Sequence, residues 1–311
     1  MQSSVSLVIP FYNRETLLPR TLRSVAESSL FPAHIVLVDN GSADASLEVC
    51  RQWSRKHASL RVTIVQEGMP GAAAARNRGL QEVDTPWVFF FDSDDILDRD
   101  FLADIEPHLA DDLDFVAVPT RMEVDGRVGV RRYRPSSDAA CQILYSHLNT
   151  QAMVFRTDFL RRIGGWDARC RIWDDWELGI RTLQNRPRMR WLTGKAYHLI
   201  CVHPDSITGS GYSDRAGRLL TALQLVADDI RRITTDAAER MRLLKALYLR
   251  YSILIGWLLA EGDKSSARKA LGQRQEVFGK TSAALRFEGW IIKRLSACGL
   301  PGTWRLAMLF I

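Results

Sequence analysis

Five apolar residues, Trp87-Val88-Phe89-Phe90-Phe91, run without a break into Asp92-Ser93-Asp94-Asp95. An apolar run of that length predicts a strand covered on both faces, the pattern of a parallel sheet whose crossovers are helices. The flanking chain repeats the theme. Short apolar runs at 6–9, 35–38, 62–65, 87–91 and 115–118 predict strands, and the segments 16–28, 45–57, 72–83 and 99–110 predict the helices between them. This β-α-β-α order predicts an α/β fold with a doubly wound, mainly parallel sheet and right-handed crossovers. Ligands bind such sheets beyond the carboxyl ends of the strands. The tips that matter are therefore Pro10-Phe11-Tyr12-Asn13, Asp39-Asn40-Gly41-Ser42 and Asp92-Ser93-Asp94, all of them polar.

Three further sections follow from the pattern. Residues 1–120 carry the alternating units, and 121–213 mix a hairpin at Asp125-Gly126 with a helix near 137–147, a strand at 151–156 and a helix from Asp174. Residues 214–311 read as almost wholly helical, with long segments at 218–232 and 237–260. With 46% hydrophobic residues the chain has ample core material. No run of 18 apolar residues occurs, so no membrane-spanning helix is expected. The amino terminus lacks a basic segment followed by a secretory apolar stretch, and its first apolar residues read as a strand. Five widely spaced cysteines, odd in number, suit free thiols in a reducing cytoplasm and offer no CxxC-type zinc site.

Charge is uneven. Residues 214–311 hold 17 Lys and Arg against 9 Asp and Glu, whereas the rest of the chain holds 25 against 27. The basic surplus suits a solvated helical face, an anionic lipid surface or nucleic acid. Nucleic acid would explain the tail but not the acidic tips, and it is not expected as a partner. The segments 290–295 and 304–311 combine aromatic, aliphatic and basic residues. They suit the inner membrane face, packing on the rest of the chain, or the second copy in a homodimer. The expected location is cytoplasmic, peripheral to the inner membrane.

Side chains alternate along extended backbone, so Asp92 and Asp94 can point the same way. Clustered carboxylates repel unless a cation, a proton or basic side chains neutralise them, and oxygen ligands suit Mg2+ or Mn2+. The same residues also favour a turn followed by a helix cap.

Taken together, Val8 through Asn13, Val38 through Asp44, Gly71 through Asn77 and Asp92 through Asp95 stand in the order and spacing of glycosyltransferase family 2, which the chain resembles. Gly164-Gly165-Trp166-Asp167 and Asp174-Asp175-Trp176-Glu177-Leu178 resemble that family's acceptor-side signature. The resemblance covers residues 4–210. It implies a Rossmann-like GT-A fold with a C-terminal helical extension, and an inverting transferase that takes a nucleotide sugar with a divalent metal. The donor half would be residues 1–120 and the acceptor half 121–213.

On that resemblance, Asp94 is the metal ligand, Asp92 holds ribose or metal, and His203 joins the metal shell or meets the phosphates. Pro10 and Tyr12 would supply an apolar surface for the base. Asp39 could accept the imide N–H of uracil, which favours a UDP-sugar donor. Asn13, Gly41 and Ser93 belong to the same tips, and Arg76 could hold phosphate or ribose. Asp175 maps to the general base that takes the proton of an acceptor hydroxyl, on a glycan or a lipid-linked sugar. Asp174 would stand beside it, while Trp166 and Trp176 would form a wall under the acceptor or fill the core. Two alternatives remain at this point: a nucleotidyltransferase acting on sugar phosphates, or a non-catalytic sugar-nucleotide-binding protein. The first would need a glycine-rich loop behind the first strand, where this chain has Pro10 through Arg14.

Overall fold

The computed structural model describes residues 2–124, 126–131, 133–202 and 211–311. The chain divides into two compact units. Unit 1 is Met1–Pro135, Leu148–Ala168 and Pro187–Val202; unit 2 is Ser136–His147, Arg169–Arg186 and His203–Ile311.

Unit 1 begins β1 (Val5–Phe11), α1 (Leu18–Ala26), β2 (His34–Asp39), α2 (Ser46–Lys56), β3 (Val62–Gln66), α3 (Ala72–Gln81) and β4 (Trp87–Phe90). It continues through α4 (Phe101–Ile105), β5 (Phe115–Ala117), β6 (Thr120–Val124) and β7 (Arg127–Val130). The helix expected over 99–110 is shorter than its pattern. After α4 the chain tightens into a 3-10 turn at Glu106–His108, because Pro107 has no N–H to continue the helical ladder. The chain then gives α5 (Ala139–Tyr145) to unit 2 and β8 (Met153–Arg156) with α6 (Thr157–Arg162) to unit 1. It gives α7 (Asp174–Gln184) to unit 2 and β9 (Met189–Trp191) with β10 (Tyr197–Cys201) to unit 1.

The main sheet has the order β3-β2-β1-β4-β8-β5-β9. β1 to β4 are mutually parallel, as are β5 and β9, while β8 runs antiparallel between β4 and β5. A smaller sheet, β10-β6-β7, carries the expected hairpin. Every residue of β1, β2 and β4 is buried, as uninterrupted apolar strands require. α3 lies close on that surface because Gly79 faces it: a Cβ there would stand 2.4 Å from Val8 Cγ1 and 3.0 Å from Val38 Cγ2. The core of unit 1 gathers Phe89, Phe91 and Phe101 with Leu22 and Ile35.

Unit 2 adds α8 (Ala216–Ile233), α9 (Ala237–Ala260), α10 (Lys264–Phe278), α11 (Ala283–Ala297) and α12 (Thr303–Met308). By length and composition α9 is apolar enough to cross a bilayer, yet 72% of its most apolar window is buried inside the protein. It packs against α5, α8, α10, α11 and α12, which makes it the core helix of the unit. All five cysteines are unbridged, and Cys50, Cys141 and Cys170 are buried.

Candidate active site

Parallel β1, β2 and β4 deliver their carboxyl ends to one edge of the sheet, and hydrogen bonds between the following loops build the site. Asn13 has φ 49, and its amide oxygen accepts from Ala43 N at 2.8 Å while its own N donates to Ser42 Oγ at 3.1 Å. Arg14 N donates to Ser46 Oγ at 2.7 Å. One residue on from Asp39, the Asn40 amide donates to Met69 O at 2.8 Å and accepts from Gly71 N at 2.7 Å. The loops after β1, β2 and β3 are thus knitted into one rim, with Gly41 (φ 82) and Gly71 (φ 122) in backbone conformations that disfavour a Cβ.

Asp39 is buried. Its Oδ1 accepts from Ser42 N at 2.9 Å, closing a turn, and its Oδ2 accepts from Gln66 Nε2 at 3.0 Å. Pro10 lies buried within β1 and offers no stacking face, a correction to the expectation. Tyr12, at 56% exposure, is the open ring at this tip.

Behind β4, Asp92 Oδ1 accepts from Arg76 Nη2 at 2.7 Å, and its Oδ2 accepts from Gln151 Nε2 at 2.7 Å. The same Gln151 nitrogen donates to Asp95 Oδ2, and Cys201 N donates to Asp95 Oδ1 at 2.8 Å. Asp95 is therefore a buried anchor of the loop and caps no helix. Burial first, then repulsion from Asp92 and Asp94, pushes its carboxyl well above the usual range. Thr21 Oγ1 faces both Ser93 O (2.9 Å) and Asp95 O (2.8 Å), which pins the loop to α1; Ser93 itself is buried. Asp94 keeps part of its carboxylate exposed, with Arg14 Nη2 at 3.4 Å and Arg20 Nη2 donating to its carbonyl at 2.5 Å.

Arg76 is buried too, its guanidinium 4.4 Å from the centre of the Trp166 ring. Trp166 is held in turn by Asn77, which donates to its O at 2.7 Å and accepts from its N at 2.9 Å. Trp166 is thus a core side chain and no exposed wall, and Arg76 has its charge met by Asp92 where the sequence suggested phosphate or ribose.

In unit 2, α7 starts after Trp173, whose φ of 58 turns the chain sharply into the helix. Asp174 and Asp175 occupy its first turn, part-exposed, with Asp175 Oδ1 accepting from Trp176 N at 2.7 Å. Acidic groups in a first helical turn are favoured by the helix dipole. Trp176 is fully buried and donates Nε1–H to Ile143 O at 3.2 Å, so it packs inside the unit and cannot lie under a sugar. The part-exposed indole beside Asp174 is Trp173, with the Arg250 guanidinium 4.5 Å from its ring centre. His203 lies outside the described residues.

Gln151, Arg14, Arg20, Thr21 and Trp173 are the residues that sequence reasoning passed over. Only Trp173 had a local signal, as the neighbour of Asp174. The others reach the carboxylate loop from distant segments.

A divalent ion fits this donor set in one specific mode. Among the described residues no group of three or more His, Cys, Asp or Glu is arranged as a metal cage. Mg2+ seldom uses such cages; it takes one or two carboxylates together with substrate phosphates and water. A part-exposed Asp94 beside a crowded acidic loop, already drawing the cation Arg14 towards it, meets that requirement.

A carboxylate loop at the edge of a mainly parallel sheet with one antiparallel strand, followed by a helical region, defines a GT-A architecture. The family model described as glycosyl transferase family 2 matches residues 6–176, more than half the chain, and the chain belongs to that family. The GT-A fold expected from the motifs is therefore the fold observed. Among curated proteins, glycosyltransferase GlyA of Streptococcus pneumoniae is 24% identical over 161 residues, which is 52% of this chain but 23% of that protein. Among solved structures, Staphylococcus aureus TarS (residues 1–349) superposes with a TM-score of 0.71 at 20% identity, covering 99% of this chain and 90% of that one. TarS has also been solved with UDP and with UDP-GlcNAc. The mannosyltransferase PcManGT of Pyrobaculum calidifontis, in complex with GDP-Man and Mn2+, gives a TM-score of 0.60 at 18% identity over 99% of this chain and 86% of that one. At such identities the structural likeness defines the fold.

Proposed function

We propose that this protein transfers a glycosyl group, with inversion, from a nucleoside-diphosphate sugar to a hydroxyl of a glycan or lipid-linked acceptor. UDP is the first nucleotide to test: TarS is described with UDP and UDP-GlcNAc, and Asp39 at the end of β2 suits the imide of uracil. The observation that carries the proposal is the convergence of the β1, β2 and β4 ends on one sheet edge in a family 2 chain.

The exposed Tyr12 ring would lie against the base, and Asp92, held by Arg76 and Gln151, would meet the ribose. Asp94, with help from Asp92, would hold Mg2+ or Mn2+, and PcManGT with Mn2+ is in keeping with that. Such an ion supplies Lewis-acid stabilisation of the charge that builds on a departing diphosphate. Asp175 would accept the proton of the attacking hydroxyl. Asp174 and the part-exposed Trp173 would orient the acceptor. A cytoplasmic location at the inner membrane face belongs to the same proposal, supported by the basic surplus of residues 214–311.

The test is a screen of nucleotide sugars for metal-dependent release of nucleoside diphosphate, followed by Asp175→Asn. Loss of a general base lowers turnover by about a hundredfold or more while nucleotide binding stays. Near-normal turnover in Asp175→Asn would remove Asp175 from the chemistry, and release of pyrophosphate would point to nucleotidyl transfer instead.

A further inference from the structure

At the corner between α10 and α11, unit 2 gathers cations that glycosyl transfer leaves unused. α10 ends at Phe278, and Gly279 (φ 58) reverses the chain so that Ser282 Oγ can cap α11 by accepting from Leu285 N at 3.2 Å. α11 then comes down on α9 at Gly289, where a Cβ would stand 2.6 Å from Tyr248 Cε1. The space left beside this contact is a cavity of about 450 Å³, lined among others by Tyr248, Arg274, Lys280, Arg286, Trp290 and Lys293.

Four of those six side chains are cationic. Among the described residues, none of the four forms an ion pair with a carboxylate. Glu288, the nearest acidic residue on α11, is taken by Lys245 of α9 at 3.0 Å. Glu276 of α10 is exposed and pairs with none of them. Arg274 is half-buried, with Nη1 donating to Ser252 Oγ at 2.6 Å and its guanidinium 4.3 Å from the Tyr248 ring centre. Arg286 spends one N–H on Thr281 O. Burial holds Arg274 below its ordinary range; burial, then the charges of Arg274 and Arg294, does the same to Lys293. Cations packed this way repel one another, and an anion between them relieves both that repulsion and the unmet hydrogen-bonding capacity.

The donor geometry selects the kind of anion. Ammonium groups act as point charges and a guanidinium as a planar fork, the pair of devices that proteins use for phosphate oxygens. Trp290, 49% exposed and stacked on Phe287 (61% exposed) at 6.2 Å, adds an apolar border suited to whatever the phosphate is attached to. We propose that this cavity binds a phosphate group between Arg274, Lys280, Arg286 and Lys293, carried either by a soluble phosphate or by an anionic lipid headgroup. The site lies wholly within unit 2, and none of its four cations is among the residues assigned to the transfer reaction.

The test uses the full chain with two probes. Inorganic phosphate is titrated calorimetrically, and vesicles of phosphatidylglycerol and phosphatidylcholine are compared with phosphatidylcholine alone by co-flotation. Lys293→Gln should weaken binding about five-fold, and Lys280→Gln with Lys293→Gln about 25-fold, as each cation near an anionic surface contributes comparably. Lys293→Arg should keep affinity, and unchanged melting temperatures will exclude unfolding. Sensitivity of phosphate binding to these variants identifies a soluble source. Sensitivity confined to the phosphatidylglycerol vesicles identifies a headgroup. If the variants bind both probes as the parent does, or the parent binds neither, the site is refuted. Phosphate held at the donor carboxylates would be insensitive to the lysine variants, which separates the two sites.

Discussion

Gln151 Nε2 donates to Asp92 Oδ2 at 2.7 Å, from a residue 59 positions further along the chain. Because the same nitrogen also reaches Asp95, one buried amide spaces two carboxylates that would otherwise repel. The loop that must present Asp94 is therefore held from below by Gln151 and from the side by Thr21.

Replacing that amide with a hydrocarbon of similar volume, Gln151→Leu, strips a donor from both carboxylates. Leaving the buried Asp95 acceptor unmet costs about 1–3 kcal/mol. Urea denaturation should register that loss, and nucleotide affinity should fall with it, as Asp92 loses one of its two tethers. A variant of parental stability would mean that water replaces the amide and that Gln151 has no positioning role.

Gly79→Ala should destabilise the protein even though Ala is the better helix former by about 1 kcal/mol. The added methyl would meet Val8 Cγ1 at 2.4 Å, and Val8 is a fully buried residue of β1 with nowhere to move. Overpacking of this kind costs about 1–3 kcal/mol. A melting temperature at or above the parent's would show that α3 can lift from the sheet without penalty.

The difference between Gly79 and Gln151 marks how far the sequence can be read. Uninterrupted apolar runs sufficed for β1, β2, β4 and β5, since burial on both faces leaves a direct compositional trace; the part-exposed β9, parallel to β5, was not foreseen. That trace also located the tips of β1, β2 and β4. Nothing local, however, said that β8 would enter the sheet antiparallel between β4 and β5, because an apolar strand is equally apolar in either direction. The carboxylates of the loop were legible; their supports were not. Arg14, Arg20, Thr21 and Gln151 are ordinary polar residues whose task is set by contacts across the fold. For Trp166 and Trp176 the sequence left a wall under the acceptor and a place in the core equally open; both pack inside, and Trp176 finds its hydrogen-bond partner in Ile143 O.

Asp94→Asn should separate metal from nucleotide binding. Its carboxylate is part-exposed and, unlike that of Asp92, is not tied down by Arg76 and Gln151; removing the charge leaves Arg14 without its partner at 3.4 Å. Titration with UDP should give affinity about tenfold or more weaker in the presence of Mn2+ and nearly parental affinity in EDTA. Equal losses under both conditions would mean that Asp94 supports the nucleotide directly and that the ion is held elsewhere.

In unit 2, Glu177 gives stability a pH dependence of unusual sign. It is fully buried, and Arg181 donates to both of its oxygens, at 2.6 Å from Nε and 2.9 Å from Nη2. Burial pushes its carboxyl from 4.5 up to about 7; Arg181 pulls it back and Asp229 pushes it further up. An acid that is weaker in the folded state binds its proton more tightly there. Between about pH 4.5 and 7 the native protein then holds more protons than the unfolded chain, and stability falls as pH rises. Glu177→Gln cannot titrate and should lack that slope, whatever its absolute stability. Urea midpoints taken near pH 4.5 and near pH 7 should therefore drop further with rising pH in the parent than in the variant. Parallel curves would mean that the Arg181 pair keeps Glu177 ionised throughout, and that α7 is tied down by a charged pair with no proton to lose.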